Sequence, residues 1–308
     1  MSLLVVHLVR RQNGPSPLHA FLDSYVSQRA GAAHDLLLAL KGFGSADDAQ
    51  PYLEAAQTRG IDARHVLLPD EGLDLTAYSR VVELAPADRY CFLNSFSRVL
   101  ADDWLGYLAT ALDDPGVGLA GATGSWASQL DYGRYQLGLP SAYSTVFEDR
   151  EATRQGFLEL ARKSDPAIRD RGRVGAQLLT ATMLVRQARD FARFPDPHLR
   201  TNALAAEREM LLGIRGRRAQ TKLDMYKLES GRSSLTASVL ASGRQAVVVG
   251  RDGVLYDSDR WPESRTLWQG EQENLLVADN RTEEYQQAEA RHRLLLARLA
   301  WGQRAQPA

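Results

Sequence analysis

Apolar and polar positions follow two rhythms along the first 125 residues. Short apolar runs, "LLVVHLV" (3–9), "HDLLLAL" (34–40), "RHVLLPD" (64–70), "RYCFLNS" (89–95) and "VGLAGATG" (117–124), have the length of buried strands. Between them, "PLHAFLDSYVSQ" (17–28), "AQPYLEAAQTRG" (49–60), "TAYSRVVELA" (76–85) and "DDWLGYLATALDD" (102–114) carry apolar residues at helical spacing. Strand and helix alternating at this spacing predict βαβ units and an α/β fold with a mostly parallel, doubly wound sheet.

Beyond residue 125 the rhythm changes. Residues 125–150 place Trp126, Tyr132, Tyr135, Tyr143 and Phe147 among glycines and serines, and read as an aromatic lid loop. A helical pattern over 173–194 stops at Pro195 and Pro197, ahead of the strand-like "LRTNALAAERE" (199–209). Two helical pieces follow, "TKLDMYKLE" (221–229) and "SLTASVLAS" (234–242), then short β runs over 244–256 turning at Asp252-Gly253. "TEEYQQAEARHRLLLARLAWG" (282–302) closes the chain as an amphipathic helix. The expected organisation is one domain over 1–281, followed by a C-terminal helix and tail over 282–308.

Composition narrows the partners. Lys+Arg 37 against Asp+Glu 38 gives a formal net charge of -1, so no global field would hold a nucleic acid or an anionic bilayer. An anionic ligand must meet a local patch. The single Cys91, inside "YCFL", excludes a disulfide framework. No run approaches the roughly 20 apolar residues of a membrane span, and "MSLLVVHLV" has its Arg10 and Arg11 after the apolar residues, the reverse of a signal peptide. These features lead us to expect a cytoplasmic protein, and leave homo-oligomerisation open.

Sheets of this kind bind ligands beyond the carboxyl ends of their strands. That singles out Arg10 and Asn13, Lys41, the 70–74 segment with Asp74, the Asn94-Ser95-Phe96-Ser97 segment, and residues 123–126. Six histidines show no paired spacing of the zinc type. His198 stands out because it abuts "LRTN", with Arg200 and Asn202 on the run that follows. "RGRRAQTK" (215–222) places four cations within eight residues and reads as a mobile loop near the cleft.

The order of elements, above all "YCFLNSFSRVLADDWLGYLATALDDPGVGLAGATGSWAS", followed by "LRTNALAAERE" and "KLDMYKLESGRSSLTASVLASGRQAVVVG", resembles a glycosyltransferase of the nucleotide-sugar-binding A-type fold, close to the inverting family-2 group. The resemblance spans roughly residues 3–280. It implies a nucleotide-diphospho-sugar transferase-like sheet, a nucleotide-sugar donor, and a saccharide or other hydroxyl acceptor. The family's acidic motif, which holds a divalent cation on the donor diphosphate, falls on Asn94, Ser95, Phe96 and Ser97, with no carboxylate among them. The expectation is therefore no metal, or a weakly bound Mg²⁺ or Mn²⁺. Asp102 and Asp103, a few residues on, read as caps of the following helix.

By the same resemblance Arg10, Lys41, Asp74, Asn94, Ser95 and Ser97 fall on the donor side, and Trp126, His198, Arg200 and Asn202 on the acceptor side. Lys41 stands where the family has an aspartate for the base. Glu229 matches the first member of the family's catalytic acidic pair, while Ser230 replaces the second; Asp224 is the next choice of base. Three functions follow: an enzyme of this kind, a non-catalytic nucleotide- or sugar-binding member of the same fold, and a nucleotidyltransferase. "RRQNGPSP" after the first run, with one glycine, argues against the third.

Overall fold

The structure is a computed structural model that describes residues 1–147, 153, 155, 187–213, 219 and 221–308. Its strands are β1 Leu3–Arg10, β2 Asp35–Lys41, β3 Ala63–Leu68, β4 Arg89–Leu93, β5 Arg98–Val99, β6 Val117–Gly121, β7 Gly124–Ser125, β8 His198–Leu199, β9 Leu204–Glu207, β10 Gln245–Val249, β11 Leu255–Tyr256 and β12 Val277–Ala278. Eight of them form one sheet in the order β11-β10-β6-β9-β4-β1-β2-β3. β1 runs parallel to β2 and β4, β2 to β3, and β6 to β10, while β9 is antiparallel to β4 and β6. The sheet is the mostly parallel, doubly wound one that the pattern predicts.

Helices cover both faces, so the central strands read as continuous apolar runs. In β2 the period of two sends Leu36, Leu38 and Leu40 to one core layer, with Phe21 and Trp104, and Leu37 and Ala39 to the other, with Tyr78, Phe92, Trp261 and Trp301. The crossovers carry α1 Ser16–Ser27, α2 Ala46–Gln57, α3 Asp74–Leu84 and α4 Trp104–Ala111. Because β9 enters antiparallel, with Leu204 opposite Phe92 and Gly121, the residues before it arrive at the carboxyl ends of β4 and β6.

Three local expectations are corrected. Asp103 precedes α4 but at φ 59 makes no capping bond; the carbonyl of Ala30 accepts from Leu105 N and Gly106 N instead. Asp102 and Asp103 are occupied by Arg29, whose backbone N reaches Asp102 Oδ1 at 2.7 Å and whose Nε reaches Asp103 Oδ1 at 2.9 Å. Gly106 permits this approach, since a Cβ there would lie 2.9 Å from Gly31 O.

The aromatic stretch after residue 125 is not an open loop where it is described. It folds into α5 Gln129–Gln136 and a 3-10 turn, Ala142–Thr145, burying Tyr135, Tyr143 and Phe147 against Phe194, Leu295 and Leu299. Nor does the C-terminal segment stand apart from the domain. Its helices, Asn280–Gln287 and Ala290–Trp301, bring Trp301 into the core at 1% exposure, with Nε1 donating to Leu267 O at 2.7 Å. Most of the helical pattern over 173–194, and 215–218 and 220 of the basic segment, lie outside the described residues. Among the described residues no helix is long and apolar enough to cross a membrane.

Candidate functional site

The carboxyl edge of β1, β2 and β4, closed by the 198–203 segment that leads into β9, gathers most of the residues that the sequence singles out. Asp74 opens α3, where burial pushes its carboxyl above the ordinary range; Glu229 adds to the shift, and Arg10 and Lys41 oppose it. Glu229, in the last turn of the helix Lys222–Ser230, is half-buried and accepts from Thr201 N at 3.2 Å. It makes no ion pair among the described residues. Tyr78, one turn into α3, lies within the influence of Asp74, Glu229 and Asp279 and donates to Thr201 O at 3.4 Å.

His198 is buried in β8 with Nδ1 2.8 Å from Asp196 O. A carbonyl only accepts, so Nδ1 carries the proton and Nε2 of the neutral ring keeps a lone pair. Burial lowers its pKa, against the pull of the Glu229 carboxylate, and Arg200 acts in the same direction as burial. The neutral imidazole is therefore the resting form at neutral pH.

Beyond β4 the chain turns on side-chain hydrogen bonds. Asn94 Oδ1 accepts from Phe96 N at 2.9 Å, and Ser97 Oγ shares its one proton between Asn94 O at 2.8 Å and Asn202 Oδ1 at 2.5 Å. Asn94 Nδ2 reaches across to Asp279 Oδ2 at 3.2 Å, and Arg200 Nη2 reaches the same oxygen at 3.2 Å. Ser95 Oγ is buried and has no hydrogen-bond partner among the described residues.

Four expected ligand groups are committed elsewhere. Lys41 has a side chain only 1% exposed, and its Nζ donates to Asp70 Oδ1 at 3.0 Å and Gly72 O at 2.7 Å. It fastens the loop between β3 and α3. Asn202 is consumed as a tie, accepting from Ser97 and directing Nδ2 to the carbonyls of Val277 and Ala278 at 3.5 and 3.3 Å. Trp126 packs edge-on against Trp301 and Phe194 under the guanidinium of Arg304, with Nε1 donating to Ser258 O at 2.8 Å, so its ring belongs to the core below the C-terminal helix. Asp224 closes a capping box with Thr221, Oδ2 accepting from Thr221 N at 3.0 Å and from its Oγ1 at 2.7 Å.

Asp279 is the residue that the sequence reading misses. It is 1% exposed, and all its acceptor directions are taken: Oδ1 by Arg281 N and Thr282 N, each at 3.0 Å, Oδ2 by Asn94 and Arg200. The capping pattern Asp-x-x-Thr in "ADNRTEEY" gives the N-cap role away, but nothing local links it to Asn94.

A divalent cation of the Mg²⁺ or Mn²⁺ kind needs several free oxygens, carboxylates foremost. Here Asn94 and Ser97 spend theirs on the turn, Asp279 has none left, and the guanidinium of Arg200 occupies its open side. Among the described residues no group of three or more His, Cys, Asp or Glu could hold a metal. The residues at this edge do not fit a divalent cation.

No known family model matches the chain, and no curated protein does. Solved structures with partial likeness include S. aureus TarS, at 13% identity over 39% of this chain and 21% of TarS, TM-score 0.31. Others are the mannosyltransferase PcManGT from Pyrobaculum calidifontis in complex with GDP-Man and Mn²⁺ (17% identity, 39% of this chain and 34% of that one, TM-score 0.32), and CMP:2-keto-3-deoxy-manno-octonic acid synthetase complexed with CTP (18%, 44% and 57%, TM-score 0.30). Against the first of these the alignment spans about a fifth to a third of the matched chain.

A separate open groove of about 440 Å³ lies along the helix Asn280–Gln287, lined by Glu283, Glu284, Glu289 and His292 among others. Its acidic walls suit a polyanion poorly. The sheet edge, where unpaired N–H and O–H donors meet a carboxylate and a neutral imidazole, offers chemistry that this groove lacks.

Proposed function

We propose that the chain is a glycosyltransferase that moves a sugar from a nucleotide-sugar donor to a hydroxyl acceptor with inversion at the anomeric carbon. The observation that carries this reading is Glu229, a half-buried carboxylate at the carboxyl edge of the sheet, without a cationic partner among the described residues and close to Asp74 and His198. Inverting transfer needs one base. The acceptor hydroxyl gives its proton to Glu229 as its oxygen bonds to the anomeric carbon, and the bond from that carbon to the diphosphate breaks with its electron pair leaving on the nucleotide. His198 and Arg200 border the acceptor; Arg10, Asn94 and Ser95 border the donor.

Glu229→Gln tests this directly, with a panel of nucleotide sugars and saccharide acceptors. Turnover should fall by roughly 10²- to 10⁴-fold, the span of general-base catalysis, while donor affinity and melting temperature stay near the wild type. Full activity in the variant would reject Glu229 as base. A second reading, a non-catalytic nucleotide-sugar-binding protein, is favoured by the Asn94-Ser95-Phe96-Ser97 segment, which lacks every carboxylate. It expects donor binding without turnover for any acceptor.

A further inference from the structure

Buried polar atoms without a partner are few in folded proteins and call for an explanation where they occur. Several of those in this chain fall in one place. Asn13 Nδ2 follows β1, Ser95 Oγ follows β4, Thr123 Oγ1 follows β6, and Arg200 Nη1 precedes β9; each is buried and without a partner among the described residues. Three of them, Ser95, Thr123 and Arg200, are linked by the backbone and side-chain bonds around them. Thr123 O accepts from Arg200 N at 3.0 Å, and Arg200 and Asn94, the neighbour of Ser95, meet on Asp279 Oδ2. Every one of the four can donate a hydrogen bond, and none is a carboxylate. The row thus selects an acceptor-rich anion and offers a cation little.

We infer that this row, headed by Arg200, holds the diphosphate of a nucleotide without a divalent metal, through hydrogen bonds from donors that the free protein leaves unused, the Arg200 guanidinium being fixed by Asp279 at the end of β4. The inference rests on the nucleotide-sugar reading above and adds to it the means of holding the anion. Asp279 fixes one guanidinium nitrogen at 3.2 Å and leaves Nη1 for the ligand, which is how a planar fork serves a structural anion and a bound one at once. From β1 across β4 and β9 to β6 the row covers three strand intervals, on the order of 14 Å at the usual strand spacing. Ser95 and Thr123, beyond β4 and β6 with Arg200 between them, stand two of those intervals apart, on the order of 10 Å, a span that a diphosphate with a hydrogen bond at either end covers; Asn13, one interval further, is left to the rest of the nucleotide. Hydroxyls that bond to nothing in the free protein acquire their partners on binding, so their desolvation cost is offset only in the complex.

The test measures binding of UDP, GDP, CDP and ADP to the full chain by calorimetry, in EDTA and in Mn²⁺, together with thermal unfolding. At least one nucleotide should bind in EDTA with an affinity within about threefold of that in Mn²⁺. Ser95→Ala and Thr123→Val should each weaken that binding roughly 5- to 30-fold, the loss of one hydrogen bond to a charged group, while the melting temperature holds or rises because an orphan hydroxyl is removed. Arg200→Gln should weaken it further, and Arg200→Lys should restore part of the loss. Should Arg200→Gln unfold by stranding Asp279, the serine and threonine variants still decide the matter. Binding that appears only with Mn²⁺ would overturn the inference and leave the nucleotide-sugar reading standing. Binding in EDTA that is indifferent to all these variants would overturn it too, placing the nucleotide elsewhere. No binding under either condition would remove the nucleotide-sugar reading and the inference together.

Discussion

His7 lies inside the sheet on β1, flat against Phe21 with ring centroids 3.8 Å apart and neither ring nitrogen bonded among the described residues. Burial lowers its pKa to about 3. The unfolded chain therefore takes up a proton near pH 6.5 that the folded protein refuses, and stability falls as pH drops from about 6.5 towards 3, by about 1.4 kcal/mol per pH unit at steepest. Asp196 works in the opposite sense. Burial raises its pKa to about 7, against an Ala192 N–H and Arg232, and its Oδ2 has no hydrogen-bond partner among the described residues. Its folded state is favoured while protonated, so its contribution is lost as pH rises from about 4 through 7. In urea titrations His7→Leu should flatten the loss of stability towards low pH. Asp196→Asn should gain on the order of 1–3 kcal/mol at pH 8 and almost nothing at pH 4. An Asp196→Asn variant with the wild-type pH profile would show that the carboxyl stays ionised.

At the scale of elements, two carboxylates on one helix separate a structural role from a chemical one. In Lys222–Ser230, Asp224 sits at the third position and closes the capping box with Thr221, whereas Glu229 sits in the last turn and faces the sheet edge through Thr201 N. Asp224→Ala should cost about 0.5–2 kcal/mol, as a lost cap does, and leave turnover per folded molecule unchanged. Glu229→Gln should do the reverse. Loss of turnover in the Asp224 variant at unchanged stability would return Asp224 to consideration as base. The β3–α3 loop is a second such case. Lys41→Met removes the charge that holds Asp70 and Gly72 O, and since Asp70 is 57% exposed at its side chain, water can replace the lysine there. Gly72 O, on a half-buried residue, loses its donor as well. A cost of roughly 0.5–1.5 kcal/mol, the net worth of an ordinary hydrogen bond, should appear in equilibrium unfolding.

Across the whole molecule, the C-terminal helix completes the core that the first strands begin. Trp301 lies in the same buried cluster as Leu4, Val6, Tyr78 and Trp261, and residues 305–307 return to the 269–270 segment, Gly270 N donating to Gln306 O at 2.8 Å. Trp301→Ala should destabilise the fold by about 3–5 kcal/mol through the cavity it leaves, seen as a lower denaturant midpoint by tryptophan-independent circular dichroism. A change below about 1 kcal/mol would mean that the helix is an attachment and not a part of the core.

The sequence by itself determined the alternating strands and helices of the first 125 residues, because a period of two or 3.6 in apolar residues records which side of an element faces the core; beyond them it missed α5 and the division of the closing helix into two. It also fixed the absence of carboxylates over 94–97, since that is written within four adjacent residues; the Thr221-x-x-Asp224 cap is written as locally, but the sequence reading took Asp224 as a candidate base. What it could not determine was which polar groups remain open to a ligand. Asn94 meets Asp279 across 185 positions, and Ser97 meets Asn202 across 105; Lys41 is spent on Asp70, and Trp126 is roofed by Trp301. Hydrogen-bond capacity is finite, and how each donor and acceptor is spent depends on which distant segments the sheet order brings together. Only the tertiary structure therefore separated Ser95, Thr123 and Arg200, which keep an unused donor, from neighbours of the same chemistry whose donors are already engaged.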